Sequence, residues 1–179
     1  MQIKILKHPD TFLRQPTEEI EFPLSEENNI ILNNMIKIMY QANGIGLAAN
    51  QVGYNRRMFV MDVSNERDNP QVFINPEIIS YSGLKESFNE GCLSIPDIRE
   101  DIVRENEILI EYLDENFTKK NLRLNGLRAR VVQHEYDHID GILFPERLSP
   151  LKRRMLKNRL NNVASGKIET AYKMKFNSK

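Results

Sequence analysis

The stretch His134-Glu135-Tyr136-Asp137-His138 decides the fold. Its two histidines are four residues apart, so on a helix they share one face, with Cβ atoms about 5–6 Å apart. Two imidazoles so spaced can grip one metal ion while the intervening Glu135 stays free for proton transfer. Leu127 and Val131 precede His134 on the same apolar stripe, which is the pattern of an amphipathic helix. Asp140-Gly141 then supplies a C-terminal stop. Ordinary residue usage gives a His-Glu-x-x-His pattern by chance in roughly one chain of this length in a few hundred. Paired surface histidines on a helix are the plain alternative, so the rest of the chain has to decide.

The 179 residues are enough for one domain that buries its own core, spanning 1–179 with a basic C-terminal helix and tail from about 149. Met1-Gln2-Ile3-Lys4 leads into mixed polar sequence, unlike an apolar signal core. No apolar run is long enough to cross a bilayer. The single cysteine, Cys92, excludes an intrachain disulfide and suits a reducing compartment, so a cytoplasmic protein with no membrane partner is expected. The net charge of zero hides an asymmetry: from Leu151 to Lys179 nine Lys or Arg face one acid, leaving that tail at +8 and the body at −8. Such a tail is either a solvated face or a contact for an acidic partner such as RNA.

Residues Lys4 to Phe22 read as an irregular arm, with a turn at His8-Pro9-Asp10 because proline keeps its predecessor out of helical backbone. His8 has no candidate co-ligand nearby in sequence. Ser25 caps a helix whose apolar stripe runs Ile31, Met35, Ile38, Ala42, and Asn43-Gly44 ends it. The small-residue run Gly44-Ile45-Gly46-Leu47-Ala48-Ala49-Asn50-Gln51-Val52-Gly53 lets the backbone approach something closely, but lacks the lysine of a phosphate loop. Gln51 is its one long polar side chain and a candidate hydrogen-bond donor to a ligand.

Strands are predicted at Met58–Val63, Gln71–Asn75, Ile78–Tyr81, Glu86–Asn89, Ile98–Val103, Glu107–Leu113 and Lys119–Leu124. Asp114-Glu115-Asn116-Phe117 forms a hairpin tip before the last of these. Ile108, Ile110 and Tyr112 alternate with Leu109, Glu111 and Leu113, so both faces are partly apolar, as in a sheet covered on each side. Ser149-Pro150 opens a final helix with Met155, Leu156, Leu160 and Val163 on its apolar side, and the chain after Gly166 reads as loose. Mixed or antiparallel sheets wrapped around a central helix carrying the His-Glu-x-x-His motif, with a C-terminal helix, make an α+β domain.

A catalytic metal site needs a third protein ligand and an open position. The longer His-Glu-x-x-His-x-x-Gly-x-x-His pattern is matched through Gly141 but has Phe144 in place of its last histidine. Glu146 follows the motif too closely to serve, and Glu169 lies in the basic tail. The remaining soft donor is Cys92, in Glu90-Gly91-Cys92-Leu93-Ser94, although a lone cysteine is commonly a small core residue. A thiolate with two imidazoles would leave one coordination position open, the catalytic arrangement.

Three stretches together resemble the signature motifs of the peptide deformylase family: Gly44-Ile45-Gly46-Leu47-Ala48-Ala49-Asn50-Gln51, Glu90-Gly91-Cys92-Leu93-Ser94 and Gln133-His134-Glu135-Tyr136-Asp137-His138. They occur in that family's order and spacing. His8-Pro9-Asp10 and Ser149-Pro150-Leu151-Lys152 are similar to it too, so the resemblance covers nearly the whole chain. Ile139 and Asn50 are mild departures that change no mechanistic position.

The resemblance implies hydrolysis of the N-formyl group from the N-terminal formyl-methionine of nascent polypeptides, releasing formate. Cys92, His134 and His138 would hold one divalent ion with water in the fourth position, and Glu135 would carry the proton. Gln51 and the Leu93 N–H would face the formyl oxygen. Ile45, Gly46, Leu127 and Val131 would line the methionine pocket. Glu90 and Arg104 would form a supporting pair behind the ligands, and Arg99 matches another recurrent arginine. The donor set by itself suggests zinc, whereas the family implies Fe(2+), with Zn(2+), Ni(2+) or Co(2+) able to replace it. A ribosomal contact through the basic C-terminal helix fits a nascent-chain substrate, and DNA is not an expected partner. Two competing readings use the same residues: a zinc endopeptidase that cleaves internal bonds, and a non-enzymatic domain whose structural metal needs a fourth protein ligand.

Overall fold

The computed structural model describes residues 4–175, so positions 1–3 of the proposed domain and the last lysine of the basic tail lie outside it. The arm is less irregular than its sequence suggests. It holds a short strand β1 (Ile5–Leu6) and a 3₁₀ turn (Thr11–Arg14), which Asp10 starts by accepting the Phe12 N–H at 2.9 Å. Helix α1 (Glu26–Gln41) begins where Ser25 Oγ accepts the Asn28 N–H at 3.2 Å. It buries Ile31, Leu32, Met35 and Met39 and is left through Asn43 at φ 58°, a left-handed conformation that Asn tolerates.

Five antiparallel strands follow in spatial order: β2 (Gly46–Ala48), β3 (Met58–Met61), β4 (Gln71–Cys92), β5 (Ile95–Leu113) and β6 (Lys119–Asn125). The three segments predicted between Gln71 and Asn89 are thus one strand, and the two between Ile98 and Leu113 are another. Shifts of register lie between Ile74 and Glu77, Ile78 and Ser80, and Ser82 and Lys85, and the first and third of them coincide with the gaps in the sequence pattern. Asn75 and Gly83 take positive φ at the first and third of these. Such bulges bend a strand and skip a residue without ending its ladder. Along β5, Ile108 and Ile110 are buried, while Leu109 and Leu113 are only half-buried, so the second face is covered in part. The hairpin tip is as expected: Asp114 Oδ1 accepts the N–H groups of Asn116 and Thr118 at 2.9 Å each.

Helix α2 (Gly126–Ile139) lies against this curled sheet, burying Ala129, Val131, Val132 and Ile139 among Phe59, Phe73 and Ile108. Each buried aliphatic side chain of this kind contributes about 1.5–3 kcal/mol. The helix stops at Asp140, and Gly141 at φ 76° packs so close to the Arg14 carbonyl that a Cβ would stand 2.6 Å from it. Helix α3 (Pro150–Ala164) starts at Ser149, whose Oγ accepts the Lys152 N–H at 3.3 Å. Leu156 and Val163 are buried, but Met155, placed on the apolar side by its sequence, is 74% exposed. It sits one residue, about 100° of helix rotation, from Leu156.

The tail is not loose. Strand β7 (Met174–Lys175) pairs in parallel with β1, Ile5 facing Met174. Met174 joins the core beside Ile5, Ile20 and Val72, an anchor that a basic stretch with only scattered apolar residues hides from periodicity.

Candidate active site

Strand β4 ends at Cys92, a two-residue turn (93–94) leads into β5, and α2 runs past that turn with its histidine face toward it. Cys92 Sγ stands 3.1 Å from His138 Nε2. The donor atoms of Cys92, His134 and His138 all lie within 4.8 Å of one another. Among the described residues no further cysteine, histidine or carboxylate joins this group. His8 lines a separate groove that it shares with Arg153, Arg154 and Lys157 of α3.

Of the two imidazoles, His134 alone has a hydrogen-bond partner behind it among the described residues, and His138 Nδ1 is buried without one. His134 Nδ1 meets Glu90 Oε2 at 3.0 Å, which leaves Nε2 as its free donor. Glu90 also receives Arg104 Nε at 2.8 Å, Arg104 Nη2 at 3.1 Å and Arg130 Nη1 at 2.9 Å. Arg104 Nη1 reaches on to Asp137 Oδ2 at 2.7 Å, and Arg147 Nε bonds the same oxygen at 3.1 Å. Burial pushes the Glu90 carboxyl up, yet His134 and Arg104 hold it well below the usual carboxylate range. The two imidazoles respond oppositely. Burial favours neutral His134, but its bonds to Cys92 and Glu90 outweigh that and push it up to about 10. Burial and the neighbouring His134 push His138 well below its ordinary value. A proton and a metal ion compete for the same imidazole lone pair.

Gln51 is fixed in orientation. Its Oε1 accepts the Ala48 N–H at 2.9 Å, so its Nε2 points at Ser94 Oγ (3.2 Å) and Cys92 Sγ (3.6 Å). Glu135 is the opposite case. Its Oε2 is buried with no hydrogen-bond partner among the described residues, and burial raises its carboxyl to about 7. Gly46 explains its room: a Cβ there would overlap the Glu135 carboxylate. The loop carrying Gly46 is anchored by Asp62, whose N–H donates to the Ile45 carbonyl at 2.9 Å. Burial raises the Asp62 carboxyl, but bonds from Ser64, Tyr40 and Asn69 leave it below the ordinary range.

Cys92, His134 and Glu135 open onto a cleft of about 560 Å³. Ile45, Gly46, Leu93, Leu127 and Val131 line it, with Phe88 at one side. Phe144 packs beside His134 at a centroid distance of 6.5 Å, an apolar neighbour where the longer motif would carry a ligand. The cleft thus gathers the candidate residues from Ile45 to Glu135, and Arg104 and His138 join them through Glu90 and Cys92. Arg99 donates to Asn89 Oδ1 at 2.9 Å and also lines the cleft. Arg130, Asp137, Arg147 and Ser94 escaped sequence reasoning. For Arg130 and Asp137 a signal existed: both fall at helical spacing from His134, on the side of α2 that faces the core and where both are buried, and a buried charge requires a partner.

A family model described as polypeptide deformylase matches residues 2–154. The chain belongs to the polypeptide deformylase family. It is 45% identical to a peptide deformylase of Christiangramia forsetii, across 98% of this chain and 96% of that one. It is 42% identical to the peptide deformylase of Flavobacterium psychrophilum, across 98% and 97%. Its fold matches the crystal structure of a Legionella pneumophila peptide deformylase with a TM-score of 0.86 at 36% identity, covering 93% of this chain and 98% of that one. A plant peptide deformylase also gives 0.86, at 30% identity and 96% coverage of each chain. Deformylases are hydrolases that remove the N-formyl group from nascent polypeptides, and the family is metal-dependent.

The residues present fit a metal on chemical grounds. A thiol and two imidazoles converge, one imidazole is backed by a buried carboxylate, and an unpartnered carboxylate faces the same space. Glu90→Gln should therefore weaken divalent-metal affinity about 10–100-fold, read by competition with a chromogenic chelator. Unchanged affinity in a folded variant would remove Glu90 from the support of the site.

Proposed function

We propose that residues 4–175 form one catalytic domain in which Cys92, His134 and His138 bind a divalent ion, Fe(2+) in the first instance with Zn(2+), Ni(2+) or Co(2+) able to substitute. The observation that carries this reading is the convergence of one sulfur and two ring nitrogens within 4.8 Å, beside a buried, unpaired Glu135. The bound ion would supply Lewis acidity, making water nucleophilic near neutral pH and polarising the formyl carbonyl.

The remaining work belongs to the chain's own groups. Glu135 takes a proton from the attacking water and delivers it to the leaving amine. Its raised carboxyl, about 7, lets it hold and release that proton near neutrality. The Gln51 side-chain amide, already aimed at the Cys92 sulfur, and the Leu93 N–H face the charge that grows on the formyl oxygen. Leu127 and Val131 lie two turns and one turn of helix before His134 and offer an apolar wall to the methionine side chain. Ile45 closes the other side, and Gly46 leaves its backbone groups accessible to the peptide. Glu90 and Arg104 keep His134 turned with Nε2 toward the ion.

The alternatives weaken. An endopeptidase has no support from the family match, and a closed structural metal would need a fourth ligand that the described residues do not bring to the group. Glu135→Ala should keep the metal and lose at least about a hundredfold in kcat, measured as formate released from a formyl-Met peptide. Loss of the metal together with activity, or cleavage of unformylated peptides by the wild-type protein, would contradict the assignment.

We also assign the protein to the cytosol, where formylated nascent chains emerge. The basic side of α3, with Arg153, Arg154 and Lys157 around one groove, suits the acidic surface of a ribosome. Co-sedimentation with ribosomes should fall when those three residues are changed to Glu, and unaltered co-sedimentation would end that reading.

A further inference from the structure

The segment after α3 does not leave the molecule. It turns at Gly166 (φ 73°), crosses the mouth of the cleft, and is fastened by the pairing of β7 with β1. On the way, Glu169, Thr170, Ala171 and Tyr172 line the same cleft as Cys92, His134 and Glu135. Thr170 Oγ1 donates to the Tyr172 carbonyl at 2.7 Å, closing a local turn. The Tyr172 ring packs on the core around Met174 and Ile5, and its hydroxyl donates to the Leu93 carbonyl at 2.7 Å.

Leu93 sits in a two-residue turn between two long strands, where ladder hydrogen bonds do not hold it. Other contacts do. Its side chain lies over Gly44, where a Cβ would stand 2.7 Å from Leu93 Cδ1. The next carbonyl, of Ser94, accepts the His8 N–H at 3.0 Å. The Leu93 carbonyl itself is held by Tyr172. A donor aimed at developing charge works only if it is already oriented before the reaction. Fixing both carbonyls of the turn holds the peptide planes on its C-terminal side, which narrows the Leu93 backbone dihedrals and so, through its Cα and the strand-held Cys92, limits how the neighbouring plane that carries the Leu93 N–H can tilt.

We infer that the C-terminal strap (168–174) is a wall of the substrate cleft and that Tyr172 is a positioning residue, holding the Leu93 carbonyl and thereby steadying the adjoining peptide whose Leu93 N–H meets the formyl oxygen. This rests on the role given to Leu93 above. The strap does chemistry indirectly. It touches the turn, the turn presents the donor, and the donor meets the substrate.

The test is steady-state kinetics of Tyr172→Phe in the metal-loaded full chain, beside the wild type. Phenylalanine keeps the ring's packing and removes only the hydroxyl. A neutral hydrogen bond of this kind, felt in the transition state, predicts a kcat about three- to tenfold lower. KM for a formyl-Met tripeptide should stay within about twofold, with metal content unchanged. A purely structural tyrosine would instead lower the melting temperature and leave kcat intact. That result, or a loss confined to KM, would overturn the inference. Tyr172→Ala, which also removes the ring, should lower kcat at least as far; an intact kcat in that folded variant overturns it too. An inactive wild type removes the proposed function itself, whereas an active wild type matched by Tyr172→Phe removes only the role of the strap.

Discussion

The buried carboxylate of Glu90 is the contact on which the site depends. Burying it is unfavourable by itself, and the structure offsets that with Arg104, Arg130 and the His134 ring. Removing one member of such a buried ionic group typically costs about 3–5 kcal/mol, because the partners are left charged and unpaired. The same bonds tie three elements together: Glu90 and Arg104 belong to β4 and β5, and Arg130 and His134 to α2. Asp137 then carries the network to Arg147. Strand pairing, the orientation of the helix and the direction of His134 Nε2 therefore share one set of charges.

Beside that anchored carboxylate lies a second, equally buried one that is left unpaired. Glu135 has no ion pair, and Gly46 provides the space for its carboxylate. The two acids of neighbouring function thus diverge: Glu90 is held ionised by cations, while Glu135 is pushed toward neutrality by burial. Divergent environments for nearby carboxylates separate a supporting role from a proton-carrying one. Gln51 adds a donor whose direction is fixed by the bond its own Oε1 accepts from Ala48.

Much of this was legible in the sequence because it is local. The spacing of His134 and His138, the Ser25 and Ser149 caps and the Asp114 tip all follow from a few neighbouring residues. The third ligand was legible only by elimination and by resemblance, since Cys92 lies far along the chain from His134. Strand lengths were not readable, because a bulge at Asn75 or Gly83 has the same local signature as a strand end. The partners of Arg130 and Asp137 were hidden for a related reason: periodicity shows that a side chain is buried, not which side chain meets it. The returning tail was hidden most completely, since Met174 and Tyr172 anchor a stretch that otherwise reads as solvated.

The central claim is that one sulfur and two imidazole nitrogens share a single divalent ion that keeps an open position. X-ray absorption at the metal edge of anaerobically purified protein tests it most directly. The account predicts one sulfur scatterer near ~2.3 Å and two nitrogen scatterers near ~2.0–2.1 Å, with a further light-atom ligand from solvent. A shell without sulfur, or sulfur that persists unchanged in Cys92→Ala, would contradict it.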